Sequence, residues 1–336
     1  MPVAITERTS IDYDEAGQGF PLVLIGGLGF GRWGWFRQVP ALSRHFRVVT
    51  FDVKRERVLR DGVEDLASDV VALMDHLKIK KAHVLGASLG GFVAQELALL
   101  RPDLVEKLVL VSTSYGGRGR EAMSASALAD MLGWGSFSPE STVRRGLETA
   151  TSEKYRAEHP GEFEEIVHSR LADSPSQSAY YEQMQAGARF DISGDVESIT
   201  APALVVHGAE DRYVPPANAA ALAESLLDAK LRVLDEAGHL VFIERFADVN
   251  REVVNFLKPR KPRRHEPAEK SPVEELLAGC AGVVSRTGKR LSSLIRPDGG
   301  GTRFARREWG AARFGSRGVS TDSFSILSLP RATDFC

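Results

Sequence analysis

The chain has 336 residues, 43% of them hydrophobic and 26% charged, with a formal net charge of −2. That length carries one large domain or two ordinary ones, and no run approaches the roughly 20 apolar residues of a membrane span. Residues 1–9 contain no apolar signal segment, and the only cysteines are Cys280 and Cys336. A disulfide framework is excluded for the body, and a cytoplasmic location is expected.

The small net charge conceals an asymmetry. From Lys258 onward there are 16 lysines and arginines against 8 acids, and the remainder has 27 against 37. An acidic body and a basic tail are two physical objects.

Through residues 1–257, apolar β-type runs alternate with amphipathic helical runs. This is the pattern of an α/β fold with a mostly parallel sheet covered by helices on both faces. Strands are predicted at 9–15, 22–26, 47–52, 82–86, 107–112, 203–208 and 231–235. Leu66, Val70, Leu73 and Leu77 recur at helical spacing and predict a helix over 63–77. A second helix is predicted over 89–100, ended by Arg101-Pro102.

Between Ser114 and Ile199 the alternation stops. Helices are predicted over 121–132, 139–149, 162–172 and 178–188, with a short connection around 154–158. The expected division is a core of residues 1–113 and 200–257, a helical cap of 114–199 inserted between two late strands, and a basic C-terminal extension of 258–336. The cap is expected over the C-terminal edge of the strands, where open α/β sheets bind ligands. Met131, Trp134, Phe137, Tyr180, Tyr181 and Met184 are candidates to line a pocket from above, although packing within the cap is the simpler role for each. Phe30, Trp33, Val214 and Leu240 are the pocket candidates from the core. In the tail, Gly279, Gly282 and Gly288 oppose a weak amphipathic helix over 273–295 at about 1 kcal/mol each. Residues 297–336 are rich in Gly, Arg and Ser and read as disordered. A solvated extension is the simpler reading, contact with anionic surfaces the other, and no nucleic-acid partner is expected.

The chemistry is carried by Gly86-Ala-Ser-Leu-Gly90, placed between an apolar strand and an apolar helix. A strand, a very tight turn and a helix make a nucleophile elbow, which holds the serine strained and exposed above the sheet. A serine hydroxyl needs a base to take its proton, and the base needs an orienting group. The strand 203–208 delivers Asp211 just past its end, and the strand 231–235 is followed by His239. Ser88, Asp211 and His239 therefore converge on one edge of the sheet. Glu210 is the rival acid. Among the other histidines, His45, His76 and His83 lie away from this edge, and His159 and His168 fall in the cap. His207, inside a strand, reads as a packed core histidine, and His265 belongs to the tail. Backbone N–H groups of Leu89, after the nucleophile, and Leu28, in the loop Gly26-Gly-Leu-Gly-Phe-Gly31, are the expected oxyanion donors. That loop lacks the spacing of a phosphate cradle or dinucleotide fingerprint, and no Cys/His cluster has zinc spacing. No metal and no cofactor are expected.

On these residues the body resembles the α/β-hydrolase fold superfamily, from Ser10 to about Leu257. The motifs are Gly26-Gly-Leu-Gly, Gly86-Ala-Ser-Leu-Gly-Gly, Gly208-Ala-Glu-Asp and Ala237-Gly-His. Within it the pattern is similar to serine esterases and lactonases of the 3-oxoadipate enol-lactonase type. Cofactor-free haloperoxidase-like proteins and carbon–carbon bond hydrolases are its neighbours, and relatives with aspartate at the elbow are disfavoured by Ser88. The resemblance implies hydrolysis of a small-molecule carboxylic ester or lactone through an acyl-enzyme. The alternatives are carbon–carbon cleavage or perhydrolysis on the same triad, or a non-catalytic binding protein of this fold. Two departures stand out: Gly26-Gly27 replaces the common His-Gly, and a short basic segment after Asp52 replaces a longer Asp-x-Arg-Gly-x-Gly-x-Ser loop. That segment either reshapes the mouth, weakens its support or favours an anionic substrate.

Overall fold

The computed structural model describes residues 2–6, 9–52, 62–117, 119–133 and 135–258. Trp134, the segment 53–61 and residues 259–336 lie outside the described residues, and with them the expectations for the basic segment and the tail.

The short strands β1 (Val3–Ile5) and β2 (Ser10–Ala16) precede β3 (Pro21–Ile25), a one-turn helix α1 (Val39–Leu42) and β4 (Arg47–Phe51). Then follow α2 (Val63–His76), β5 (Ala82–Ala87), α3 (Leu89–Leu100) and β6 (Val105–Val111). After the cap come β7 (Ala203–Gly208), α9 (Pro216–Ser225), β8 (Ala229–Leu234), α10 (Val241–Glu244) and α11 (Phe246–Leu257). The eight strands form one sheet in the order β1-β2-β4-β3-β5-β6-β7-β8. β1 and β2 join antiparallel, and every pair from β4 to β8 is parallel.

The β-branched and leucine runs make strands buried on both faces, so successive residues feed two separate cores. Val23, Val84, Leu108 and Val205 pack with Leu66, Val70, Val93 and Leu97 on the α2–α3 side. Leu24, Leu85, Val109 and Val206 pack with Trp35, Leu42, Val249 and Val253 on the other. The sequence reading places no element over 3–5, 216–225 or 246–257. β1 is three residues long with only Ala4 buried, too short for a periodicity to register. α9 starts at a proline and buries only Asn218, Ala219 and Leu222, an apolar stripe too sparse to stand out.

Among the described residues five α-helices separate β6 from β7: α4 (Ala125–Leu132), α5 (Pro139–Ala150), α6 (Glu153–Glu158), α7 (Pro160–Ala172) and α8 (Gln177–Arg189). Serines begin four of them. The Ser124, Ser138, Ser152 and Ser176 side chains accept backbone N–H groups three residues on, and Ser138 with Ser141 completes a capping box. Capping by Ser124 explains why α4 starts later than the expected residue 121, and Ser152 turns the expected connection at 154–158 into a helix.

His83 tests the packing of the sheet. It is buried in β5 between the Phe20 and Phe46 rings, with Nδ1 unpartnered. Burial, reinforced by Lys107, lowers its pKa from 6.5 to about 4. The unfolded chain takes up this proton near pH 6.5 and the folded one only near 4, so stability is complete above 6.5 and declines as pH falls between them. At 1.36 kcal/mol per pH unit the loss reaches about 3 kcal/mol. Acid denaturation of His83→Phe, followed by circular dichroism, should show a correspondingly flatter decline than wild type.

Candidate functional site

Ser88 stands between β5 and α3 with φ 52 and ψ −117, a conformation L-residues rarely occupy and the mark of a strained turn. The turn is this sharp because the backbones around it touch. A side chain on Gly86 would collide with the Gly90 carbonyl, and one on Gly90 with the Ile25 carbonyl. The Ser88 N–H donates to the Val111 carbonyl (2.9 Å), and its own carbonyl accepts from the Thr113 hydroxyl (2.9 Å).

The end of β6 also holds His239. The Ser112 hydroxyl donates to the His239 carbonyl (2.7 Å), so adjacent residues Val111 and Ser112 anchor the elbow and the histidine loop. That loop is fixed further by Glu244, whose buried carboxylate accepts from Gly238 N–H (3.0 Å) and from Ser152 N–H of the cap (2.9 Å). Burial raises the Glu244 pKa, against those hydrogen bonds.

Asp211 follows β7, with its side chain fully buried. Its Oδ2 lies 2.8 Å from His239 Nδ1, and its Oδ1 accepts the backbone N–H groups of Tyr213 and Val214, both at 2.9 Å. Burial pushes its pKa up, but His239, then His207, outweigh it and hold the carboxyl far below the usual range. An ionised, rigid carboxylate on Nδ1 leaves Nε2 of His239 as the basic nitrogen. The Tyr213 ring meets the imidazole edge-on at 5.4 Å, and its hydroxyl donates to Gly146 of the cap (2.8 Å).

Of the sequence-predicted residues, the structure joins Asp211 and His239 directly. Ser88 shares their sheet edge, and among the described residues its hydroxyl has no hydrogen bond. Leu89 is the first residue of α3, so its N–H has no intrahelical acceptor. Gly27 packs against the elbow: a side chain there would reach the Ser88 Cβ. Leu28, next in that loop, makes no backbone hydrogen bond through its N–H among the described residues.

The pocket candidates are distributed differently. Phe30 stacks on Trp33 at 4.9 Å and lines a small cavity with Gly27, Gly29, Asp173, Pro175 and Gln183. Met131 is half-buried, with its carbonyl 3.5 Å from the Tyr180 hydroxyl. Val214 serves through its backbone, on Asp211 and His207. Leu240 is buried in the core, its N–H on the Ala150 carbonyl. Trp134 lies outside the described residues. Phe137 is fully exposed and Tyr181 more than half exposed, so neither lines the interior nor packs the cap.

Two residues were not legible as part of the site. His207 is a buried strand residue, as expected, yet its Nε2 lies 3.1 Å from Asp211 Oδ2. Arg170, on α7, is buried against the oxyanion loop, where a side chain on Gly29 would collide with its guanidinium. It donates to the Ser174 hydroxyl (3.1 Å), faces the Tyr180 ring at 5.7 Å, and forms no ion pair among the described residues. Burial lowers its pKa. Residue spacing on β7 and on α7 marks the two as ordinary; only tertiary packing reveals where their nitrogens point.

A sequence model of the family described as "alpha/beta hydrolase fold" matches residues 21–246. The chain belongs to the α/β-hydrolase fold family. Its curated relatives include the protein named carbamate hydrolase RutD from Agrobacterium fabrum, 28% identical over 71% of this chain and 93% of that one. The protein named non-heme bromoperoxidase BpoC from Mycobacterium tuberculosis is 30% identical over 74% of this chain and 97% of its own. Among solved structures, the enol-lactonase of Burkholderia xenovorans superposes with a TM-score of 0.68 at 26% identity, covering 76% of this chain and 99% of that one. This α/β-hydrolase thus matches these three relatives over nearly their whole length. Among its described residues, no helix is long and apolar enough to cross a membrane.

Proposed function

We propose that the protein is a serine hydrolase that cleaves a carboxylic ester or lactone of a small molecule. The observation that carries this is the Asp211–His239 hydrogen bond, held by β6 on the same edge as the Ser88 elbow. His239 Nε2 takes the hydroxyl proton as Ser88 Oγ attacks the acyl carbon. The carbonyl π electrons move onto oxygen, where the Leu28 and Leu89 N–H groups receive the charge. His239 then protonates the leaving oxygen, the ester bond breaks and an acyl-serine remains. A water deprotonated by the same imidazole attacks that acyl group and releases the acid and Ser88. The lactonase among the solved relatives supports the acyl class.

Arg170 narrows the substrate. Among the described residues the buried Arg170 guanidinium, beside the oxyanion loop, has one hydrogen bond and no ion pair, only the more distant charge of Asp173, and it suits a carboxylate on the acyl or leaving group. A screen of esters and lactones, each with and without a second carboxylate, tests both readings. Turnover of neither class, with no fluorophosphonate labelling, rejects the hydrolase. For Arg170→Leu, KM for the carboxylate-bearing esters should rise about 10-fold or more, the worth of one charge-assisted hydrogen bond, with neutral esters unchanged.

A further inference from the structure

Among the described residues Asp211 accepts three hydrogen bonds, and the Nε2 of a second histidine lies within ion-pair distance of the same carboxylate. His207, fully buried on β7, sits four residues before Asp211. Its Nε2 lies 2.8 Å from the Val214 carbonyl oxygen and 3.1 Å from Asp211 Oδ2. A carbonyl only accepts, so Nε2 carries the proton, and the same N–H is shared with the carboxylate. Nδ1 is then a buried lone pair, and among the described residues it has no hydrogen-bond partner. Leucine would remove this unsatisfied nitrogen, at the loss of the donor to the Val214 carbonyl.

We infer that His207 is a positioning residue for the Ser88–Asp211–His239 site, its Nε2–H fixing the Asp211 carboxylate and limiting the negative charge that Oδ2 presents to His239. This rests on the hydrolase reading above. With Tyr213 and Val214 N–H on Oδ1, His239 on Oδ2 and His207 Nε2 3.1 Å from that same Oδ2, each carboxylate oxygen makes two donor contacts. The carboxylate can neither rotate nor slide without breaking one of them. The titratable groups facing Asp211 are His207, His239 and, beside the latter, Tyr213. Arg212 turns to the Glu148 and Thr149 carbonyls.

Without the His207 N–H, Oδ2 has His239 as its one side-chain donor. The Asp211–His239 bond strengthens, the imidazolium form gains stability, and the acid limb of the pH–rate profile moves to higher pH. The loosened carboxylate also orients His239 less well, which lowers kcat. His207 lies behind Asp211, so KM should not change.

The experiment compares the full-length wild type with His207→Leu and His207→Gln, whose amide N–H reaches the position of Nε2. Activity on a short-chain aryl ester is measured across the acid range, and proton NMR follows the low-field proton of the Asp211–His239 hydrogen bond. For His207→Leu, kcat should fall about 10-fold or more at constant KM, as for other oriented catalytic groups. Its acid limb should move to higher pH and its proton downfield, and His207→Gln should restore both toward wild type. Loss of kcat with the limb and the resonance in place would assign His207 to packing and overturn the inference, as would a leucine variant with wild-type values throughout. Should the leucine variant not fold, His207→Asn, whose amide stops short of Asp211, is read against His207→Gln in the same way. A wild type without esterase activity or serine labelling removes the hydrolase reading instead, and the low-field proton still reports what His207 does to Asp211.

Discussion

Ser88→Ala should abolish covalent labelling by a fluorophosphonate and lower kcat/KM for a short-chain aryl ester by at least about 10⁴-fold. The size follows from the geometry. Ser88 stands on the strained turn between β5 and α3, with Leu89 next in the chain and Gly27 packed against its Cβ. Alanine removes the nucleophile and leaves the elbow intact, because the turn is held by backbone contacts at Gly86 and Gly90 and by the Ser88 N–H on Val111. Wild-type stability with no activity is therefore the expected pair of results, measured by thermal melting alongside kinetics. Residual labelling of the alanine variant would move the nucleophile elsewhere. Asp211→Asn should cost about 10³- to 10⁴-fold in kcat. The four groups around Asp211 are all donors, so an amide NH₂ meets another N–H whichever way it is turned. The imidazole then loses its tautomer, and the variant loses stability as well.

The core strands and the order of the candidate triad were legible because they depend on short-range signals. Val and Leu runs make buried strands regardless of context, and a Ser, Asp or His just past a strand end has few places to go. β7 needed no adjustment at either end, and α3 matched from Leu89 to Leu100. What stayed hidden depends on packing between segments far apart in sequence. His207 and Asp211 are separated by a strand end and a turn, and nothing in their spacing says that an imidazole N–H crosses back to the carboxylate. The cap is harder still. Phe137, between α4 and α5, looks like a core residue by type yet stands fully exposed, while the charged Arg170 turns inward. Serine caps at Ser124 and Ser152 explain the boundary differences there: one hydroxyl decides where a helix starts, and helical periodicity does not register it.

Gly90→Ala should lower stability by about 3 kcal/mol or more, at the upper end for overpacking. Its cause lies in how the nucleophile turn is built. α3 leaves the sheet directly over β3, so Gly90 meets the carbonyls of Ile25 and Gly26, and Gly86 meets the carbonyl of Gly90. A methyl at either position collides with backbone, which cannot rotate aside as a side chain can. Relief requires lifting the first turn of α3 from β3, and that turn carries Ser88 and Leu89. Stability and activity should therefore fall together: a drop in Tm of several degrees, with kcat reduced in the fraction that remains folded. Gly91→Ala makes the contrast. Its nearest clashes are with the Thr113 side chain (Cβ, Cγ2 and Oγ1) and not with a backbone carbonyl, so the loss should be smaller, and Gly91→Ala combined with Thr113→Ser, which removes Cγ2, should recover part of it. Equal losses for Gly90→Ala and Gly91→Ala would mean that general crowding, and not backbone contact at the elbow, sets the tolerance of this turn.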